Sequence, residues 1–98
     1  MMIYEIPLNN GNQKFNIRLG GVQYKFQLIY RVKSWYLDIF DTAENPLIAG
    51  LPLVMGDNLL IQHQHIIKGS LYVLNTNEEE SQTFGDLGTL IKLYWSDT

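Results

Sequence analysis

The chain has 98 residues, of which 46 % are apolar and 12 % aromatic, with a net charge of −3 and no cysteine. That length feeds a single core, so residues 1–98 are read as one domain. Without cysteine there is no disulfide, no thiolate metal site and no thiol nucleophile, and the aromatic share leans towards sheet.

The charge is uneven. Residues 14–33 carry five basic side chains (Lys14, Arg18, Lys25, Arg31, Lys33) and no acidic one, whereas residues 34–98 carry nine acidic and two basic. The N-terminus, Met-Met-Ile-Tyr-Glu-Ile-Pro, has no basic region leading into a long apolar stretch, so no signal peptide is expected. The longest apolar run, Leu47 to Met55, is broken by Gly50 and Pro52 and falls well short of the roughly 20 residues that a membrane helix needs. The expectation is a soluble protein made in the cytoplasm, with no membrane partner.

Met2 to Ile6 reads as a short strand ended by Pro7, and Asn9-Asn-Gly-Asn12 as a turn. Residues 14–19 alternate, with Phe15, Ile17 and Leu19 on one face and Lys14, Asn16 and Arg18 on the other. Gly20-Gly21 supplies the positive φ angles of a two-residue hairpin. Val22, Tyr24, Phe26, Leu28 and Tyr30 then continue the apolar face. Trp35 to Asp41 is a third strand with Trp35, Leu37 and Ile39 inward and Tyr36, Asp38 and Phe40 outward.

Asp41 to Pro46 is a turn, since Asp and Asn bond the local backbone and the residue before proline is pushed out of helix. In the following strand Leu47, Ala49, Leu51, Leu53 and Met55 share one face. Ile48 and Val54 lie on the other, and Pro52 marks an edge, a bulge or a break. Gly56-Asp57-Asn58 reads as a helix start, with Asp57 or Asn58 as N-cap and a turn or two of helix over Leu59 to His65. Leu71 to Leu74 is a strand, Asn75 to Gln82 an exposed acidic loop, and Leu90 to Trp95 the last strand. The fold class is therefore all-β with one short helix, a small Greek-key barrel of about five to seven antiparallel strands.

Few residues suggest chemistry. His63-Gln-His65 could offer two imidazoles to one ion if the segment is extended. No third ligand lies nearby in sequence, so no metal and no other cofactor is expected, and the two histidines stand only as candidates. Ser34, Ser70, Ser81 and Ser96 lack a nucleophile elbow, and Gly20-Gly21 is not followed by the Gly-Lys-Ser/Thr of a phosphate loop. Neither an enzyme nor a small-molecule substrate is indicated.

Lys14, Arg18, Lys25 and Arg31 fall on the polar face of the hairpin, and Phe15, Tyr24, Phe26 and Tyr30 on the opposite one. A single-strand binder would want rings and cations together. Here they are expected on different surfaces, which disfavours nucleic acid; a solvated polar face is the commonest case for such residues, with docking onto an acidic partner or another copy of the chain second. Trp35 belongs to the core; Trp95 stands between core and interface. Ile48 and Val54 put too much apolar surface outside for a solvated sheet, so that strand is where another subunit is expected to sit.

Several segments, taken in order, carry a family resemblance: Ile3-Tyr-Glu-Ile-Pro-Leu8, Phe15-x-Ile-x-Leu-x-Gly21, Trp35-Tyr-Leu-Asp-Ile39, Pro46-Leu47, Gly50-Leu-Pro-Leu-Val54 with Gly56 and Leu59-Leu60, Gly69-x-Leu71 and Leu87-Gly88. The chain resembles the phage baseplate plug family, small proteins of contractile-tail phages and prophages. The resemblance implies an OB-like barrel and a non-catalytic structural role in the baseplate or tail hub. It also implies contacts with other baseplate and hub proteins near the central axis of the tail; a homo-oligomer is a further option, and the expected lack of an export signal fits assembly into the virion in the bacterial host cytoplasm. It supplies no catalytic residues. An OB-type single-stranded nucleic-acid-binding module is the alternative.

Overall fold

The computed structural model describes residues 3–56 and 58–97. Among them are seven strands, β1 (Ile3–Ile6), β2 (Gln13–Leu19), β3 (Val22–Arg31), β4 (Ser34–Phe40), β5 (Pro46–Pro52), β6 (Ser70–Asn75) and β7 (Ile91–Ser96), and one 3₁₀ turn at Glu78–Glu80. They form two antiparallel sheets. In one, β2, β3, β4 and β5 lie side by side in chain order; in the other, β7 lies between β1 and β6.

Alternation in residues 13–31 sets the first hairpin. Phe15 faces Phe26, Ile17 faces Tyr24 and Leu19 faces Val22. Gly20 and Gly21, at φ 59° and 82°, make the left-handed two-residue turn whose twist matches that of the strands. β4 then lays Trp35, Leu37 and Ile39 on the same inner face, all fully buried.

β5 departs from simple alternation. Leu51 pairs with Leu37 and Ile48 with Ile39, so residues 49 and 50 together stand opposite Asp38. Gly50 takes up the extra residue at φ 69°, and its N–H donates to Asp38 Oδ1 at 2.7 Å. This bulge resets the pleat so that Ile48 and Leu51, an odd number of residues apart, both turn towards the core. Ile48 is 6 % exposed, whereas Ala49, expected inside, is exposed. The outward position expected for Ile48 is therefore corrected.

The helix expected over Leu59 to His65 is replaced by consecutive turns. Bonds run from Ile61 N–H to the Asn58 carbonyl at 3.2 Å, from His63 N–H to Leu60 at 2.8 Å and from Ile66 N–H to His63 at 2.9 Å, without an uninterrupted helical ladder. Tertiary anchors decide this. Asn58 Oδ1 accepts from both Leu60 N–H and Leu71 N–H at 2.9 Å, and Leu59 N–H donates to the Leu71 carbonyl at 2.9 Å. Asn58 thus ties the segment along the edge of β6 instead of starting a helix; Asp57 lies outside the described residues, as does Met2, where the first strand was expected to begin.

Phe26, Leu28, Trp35, Leu37 and Ile39 from one sheet meet Ile6, Leu71, Ile91 and Leu93 from the other in one buried cluster, completed by Leu53, Leu60, Ile67 and Leu87 from the connections. Each such side chain contributes roughly 1.5–3 kcal/mol relative to exposure. The all-β class expected from the sequence is observed, but the sheets are not closed into a barrel, because no ladder joins them among the described residues. Pro7 has no N–H with which to extend β1, and residues 7–12 carry the chain across to the second sheet.

Candidate docking surfaces

The outer face of the four-stranded sheet gathers the basic residues, but it also gathers their counter-ions. Lys14 Nζ donates to Glu44 Oε1 at 2.7 Å and lies 4.9 Å from the centre of the Phe40 ring, while Lys25 Nζ is 3.8 Å from the same oxygen. Glu44 is brought there by the β4–β5 turn, in which Asp41 Oδ1 accepts from Ala43 and Asn45 N–H groups, each at 2.9 Å. The Lys14 hydrogen bond, followed by the charges of Lys14 and Lys25, holds the Glu44 carboxyl below its ordinary value. The bonds from Asn45 do the same for Asp41.

Two sequence expectations change at this face. Asp38 and Glu44 interrupt it, so it is mixed in charge and not a purely basic surface. Phe40 pairs with Lys25, and Tyr36 with Ile29, on that same outer side. Rings and cations therefore do share a surface, contrary to expectation; the outward rings of β4 rather than the inward rings of β2 and β3 supply them. Arg18 and Arg31 are exposed at opposite ends of the hairpin and do not join the Lys14–Lys25 pair.

Of the expected apolar interface positions, Val54 is 54 % exposed, while Ile48 lies in the core. Trp95 resolves to the core side: it is buried, its Nε1 donates to the Lys68 carbonyl at 3.3 Å, and its ring leaves room at Gly69 for no more than a hydrogen. His63 is half-buried and His65 exposed. Because their segment turns, the alternation that would aim both imidazoles at one ion does not apply. No group of three or more His, Asp or Glu side chains that could hold a metal is found among the described residues.

Sequence reasoning missed the outer face of the three-stranded sheet. Tyr94 lies between Glu5 and Tyr72, Leu74 beside Lys92, and Ile3 beside Ser96. Ile3 is 64 % exposed, and Tyr72 and Leu74 are also exposed. The signal was present: Tyr72, Leu74 and Tyr94 are large side chains on the nominal outer positions of strands whose inner positions are already apolar. That is the criterion applied to Ile48 and Val54, and in β5 the bulge misdirected it.

Residues 81–86 form a polar strap over the β4 end of the larger sheet. Gln82 Oε1 accepts from Trp35 N–H and its Nε2 donates to the Leu53 carbonyl, both at 2.6 Å. Trp35 Nε1 donates to the Thr83 carbonyl at 3.0 Å, and Phe84 stacks on Trp35 at 5.9 Å. At the opposite end, Leu19, Val22, Tyr24, Ile66, Lys68 and Trp95 line a cleft of about 370 Å³, where burial pushes the Tyr24 phenol above its usual value. Every buried side-chain polar atom among the described residues has a partner. No helix among them is long and apolar enough to cross a membrane.

Fold and surfaces together define an all-β protein of two packed antiparallel sheets whose distinctive groups lie on outward sheet faces. Comparison with curated proteins gives no match. The family model described as cyanophage baseplate Pam3 plug gp18 matches residues 3–98, and the chain belongs to that phage baseplate plug family. It is accordingly a structural component of a phage tail baseplate.

Proposed function

We propose that the chain is a non-catalytic plug held at the baseplate hub by contacts with other baseplate proteins, and that it is assembled into the tail in the host cytoplasm. It works without a cofactor, a small-molecule substrate or a membrane. The observation that carries the docking reading is the outer face of the three-stranded sheet, where Ile3, Tyr72, Leu74 and Tyr94 keep apolar surface in water that a solitary domain would gain by covering. Val54 remains a second apolar candidate, and Lys14, Arg18, Lys25 and Arg31 supply polar matching at the other sheet. Self-association through the same apolar face is compatible with this role. Tail particles purified from the phage or prophage that encodes the chain, analysed by quantitative mass spectrometry, should hold it at a fixed copy number per tail. Its absence from intact tails would contradict the proposal.

A second reading, single-stranded nucleic-acid binding, draws on Lys14, Lys25, Phe40 and Tyr36 sharing one face. The carboxylates of Glu44 and Asp38 within that face oppose it. Labelled single-stranded DNA at about 50 mM salt, where phosphate contacts are strong, should show no polarisation change.

A further inference from the structure

The two tight hairpins of the larger sheet form an internal comparison. Leu19 pairs with Val22 across Gly20-Gly21, and Arg31 pairs with Ser34 across Val32-Lys33. Both are two-residue turns, and both place their central residues in the left-handed region: Gly20 and Gly21 at φ 59° and 82°, Val32 and Lys33 at φ 46° and 64°. Glycine enters that region without penalty; a β-branched side chain is a genuine outlier there. Val32 is also 94 % exposed, so no packing within the domain offsets the strain. Of the other non-glycine residues at positive φ among those described, Glu44 is held by its N–H bond to the Asp41 carbonyl and by Lys14, and Glu79 lies within the 3₁₀ turn.

The tip is chemically distinct as well. Arg31 and Lys33 flank Val32, both exposed and neither in an ion pair among the described residues. At the base of the hairpin Tyr30 packs against Trp35 and Phe84 at 5.3 and 5.9 Å, and Phe84 is itself more than half exposed. An apolar point between two cations, held on a rigid strand pair beside an exposed ring, is suited to insertion. We infer that the Val32 tip is a docking peg, which enters an apolar pocket rimmed by carboxylates on a neighbouring baseplate protein. A protein pocket is favoured over nucleic acid because the projecting residue, Val32, offers no ring for stacking bases and would be set among phosphates, while the Phe84 ring is already packed on Tyr30 and Trp35. A second copy of this chain is disfavoured, since its cleft between the sheets carries Lys68 at the lining.

This inference rests on the baseplate reading, and the test separates the two. Val32→Asn removes the β-branched side chain from a position that asparagine tolerates, so the isolated variant should melt about 4 °C or more above wild type. In tail particles assembled with wild type or variant, the variant should be incorporated about tenfold less, as expected for losing one buried valine. Arg31→Glu with Lys33→Glu should reduce incorporation similarly at unchanged Tm. Wild type missing from the particles would overturn the baseplate reading and the peg with it. Wild type present, with Val32→Asn at the same level, would overturn the peg alone. Loss of single-stranded DNA binding in Val32→Asn, with incorporation unchanged, would reassign the tip to nucleic acid and overturn protein docking.

Discussion

Ile48 is the residue whose role changes most between sequence and structure. Its side chain faces Ile39 in the core, so Ile48→Lys would bury a charge without a partner and should cost about 4 kcal/mol or more, a large share of a small domain's total. Ile48→Val should cost about 1 kcal/mol. Urea denaturation of both variants distinguishes this from a surface role, in which both would melt like wild type. Glu44 makes a contrasting case. Its folded-state carboxyl lies below the ordinary value near 4.5, so its contribution is fully present above that value and is lost as pH falls through the lower, folded-state one. In Glu44→Gln the part of the acid-side fall in Tm due to this group should vanish. The difference should be small, and smaller still in high salt, because the group is exposed.

At the level of elements, the hairpin of β2 and β3 was legible because alternation and Gly20-Gly21 point to one structure locally. β4 was legible for the same reason. β5 was only half legible: Pro52 announced an irregularity, but the parity switch sits at Gly50, and it depends on an Asp38 carboxylate supplied by the neighbouring strand. The helix expected after Gly56 failed through a similar long-range effect, since Asn58 spends its side chain on Leu71 as well as on Leu60. The strap at residues 81–86 gave no periodic signal at all, although it bonds the backbone of β4 at Trp35 and the residue just after β5, Leu53. Gln82→Ala leaves the Trp35 N–H and the Leu53 carbonyl without their present partners, and a loss of about 2 kcal/mol or more is expected in thermal unfolding. Gly69→Ala should be at least as damaging, because a methyl group there runs into the Ser96 carbonyl oxygen and the Trp95 indole.

For the molecule as a whole, composition and alternation were enough for the all-β class, and the ordered segments from Ile3 to Gly88 carried the family resemblance, which the match over residues 3–98 bears out. Closure into a barrel was not legible, because alternation says which residues face inward and not which strand edges meet. The candidate docking face escaped for a related reason: Tyr72, Leu74 and Tyr94 are far apart or merely alternate in sequence, and only the pairing of β6 with β7 assembles them. The central claim is that this face docks the plug into the baseplate. Tyr72→Thr keeps a β-branched, strand-favouring residue, and Leu74→Glu sets the new carboxylate opposite Lys92, a favourable cross-strand pair that offsets the weaker strand preference of Glu. Quantitative mass spectrometry of tail particles carrying this double variant is the most direct test. With the Tm of the isolated protein within a few degrees of wild type, the variant should be largely missing from the tails; incorporation at the wild-type copy number would contradict the claim.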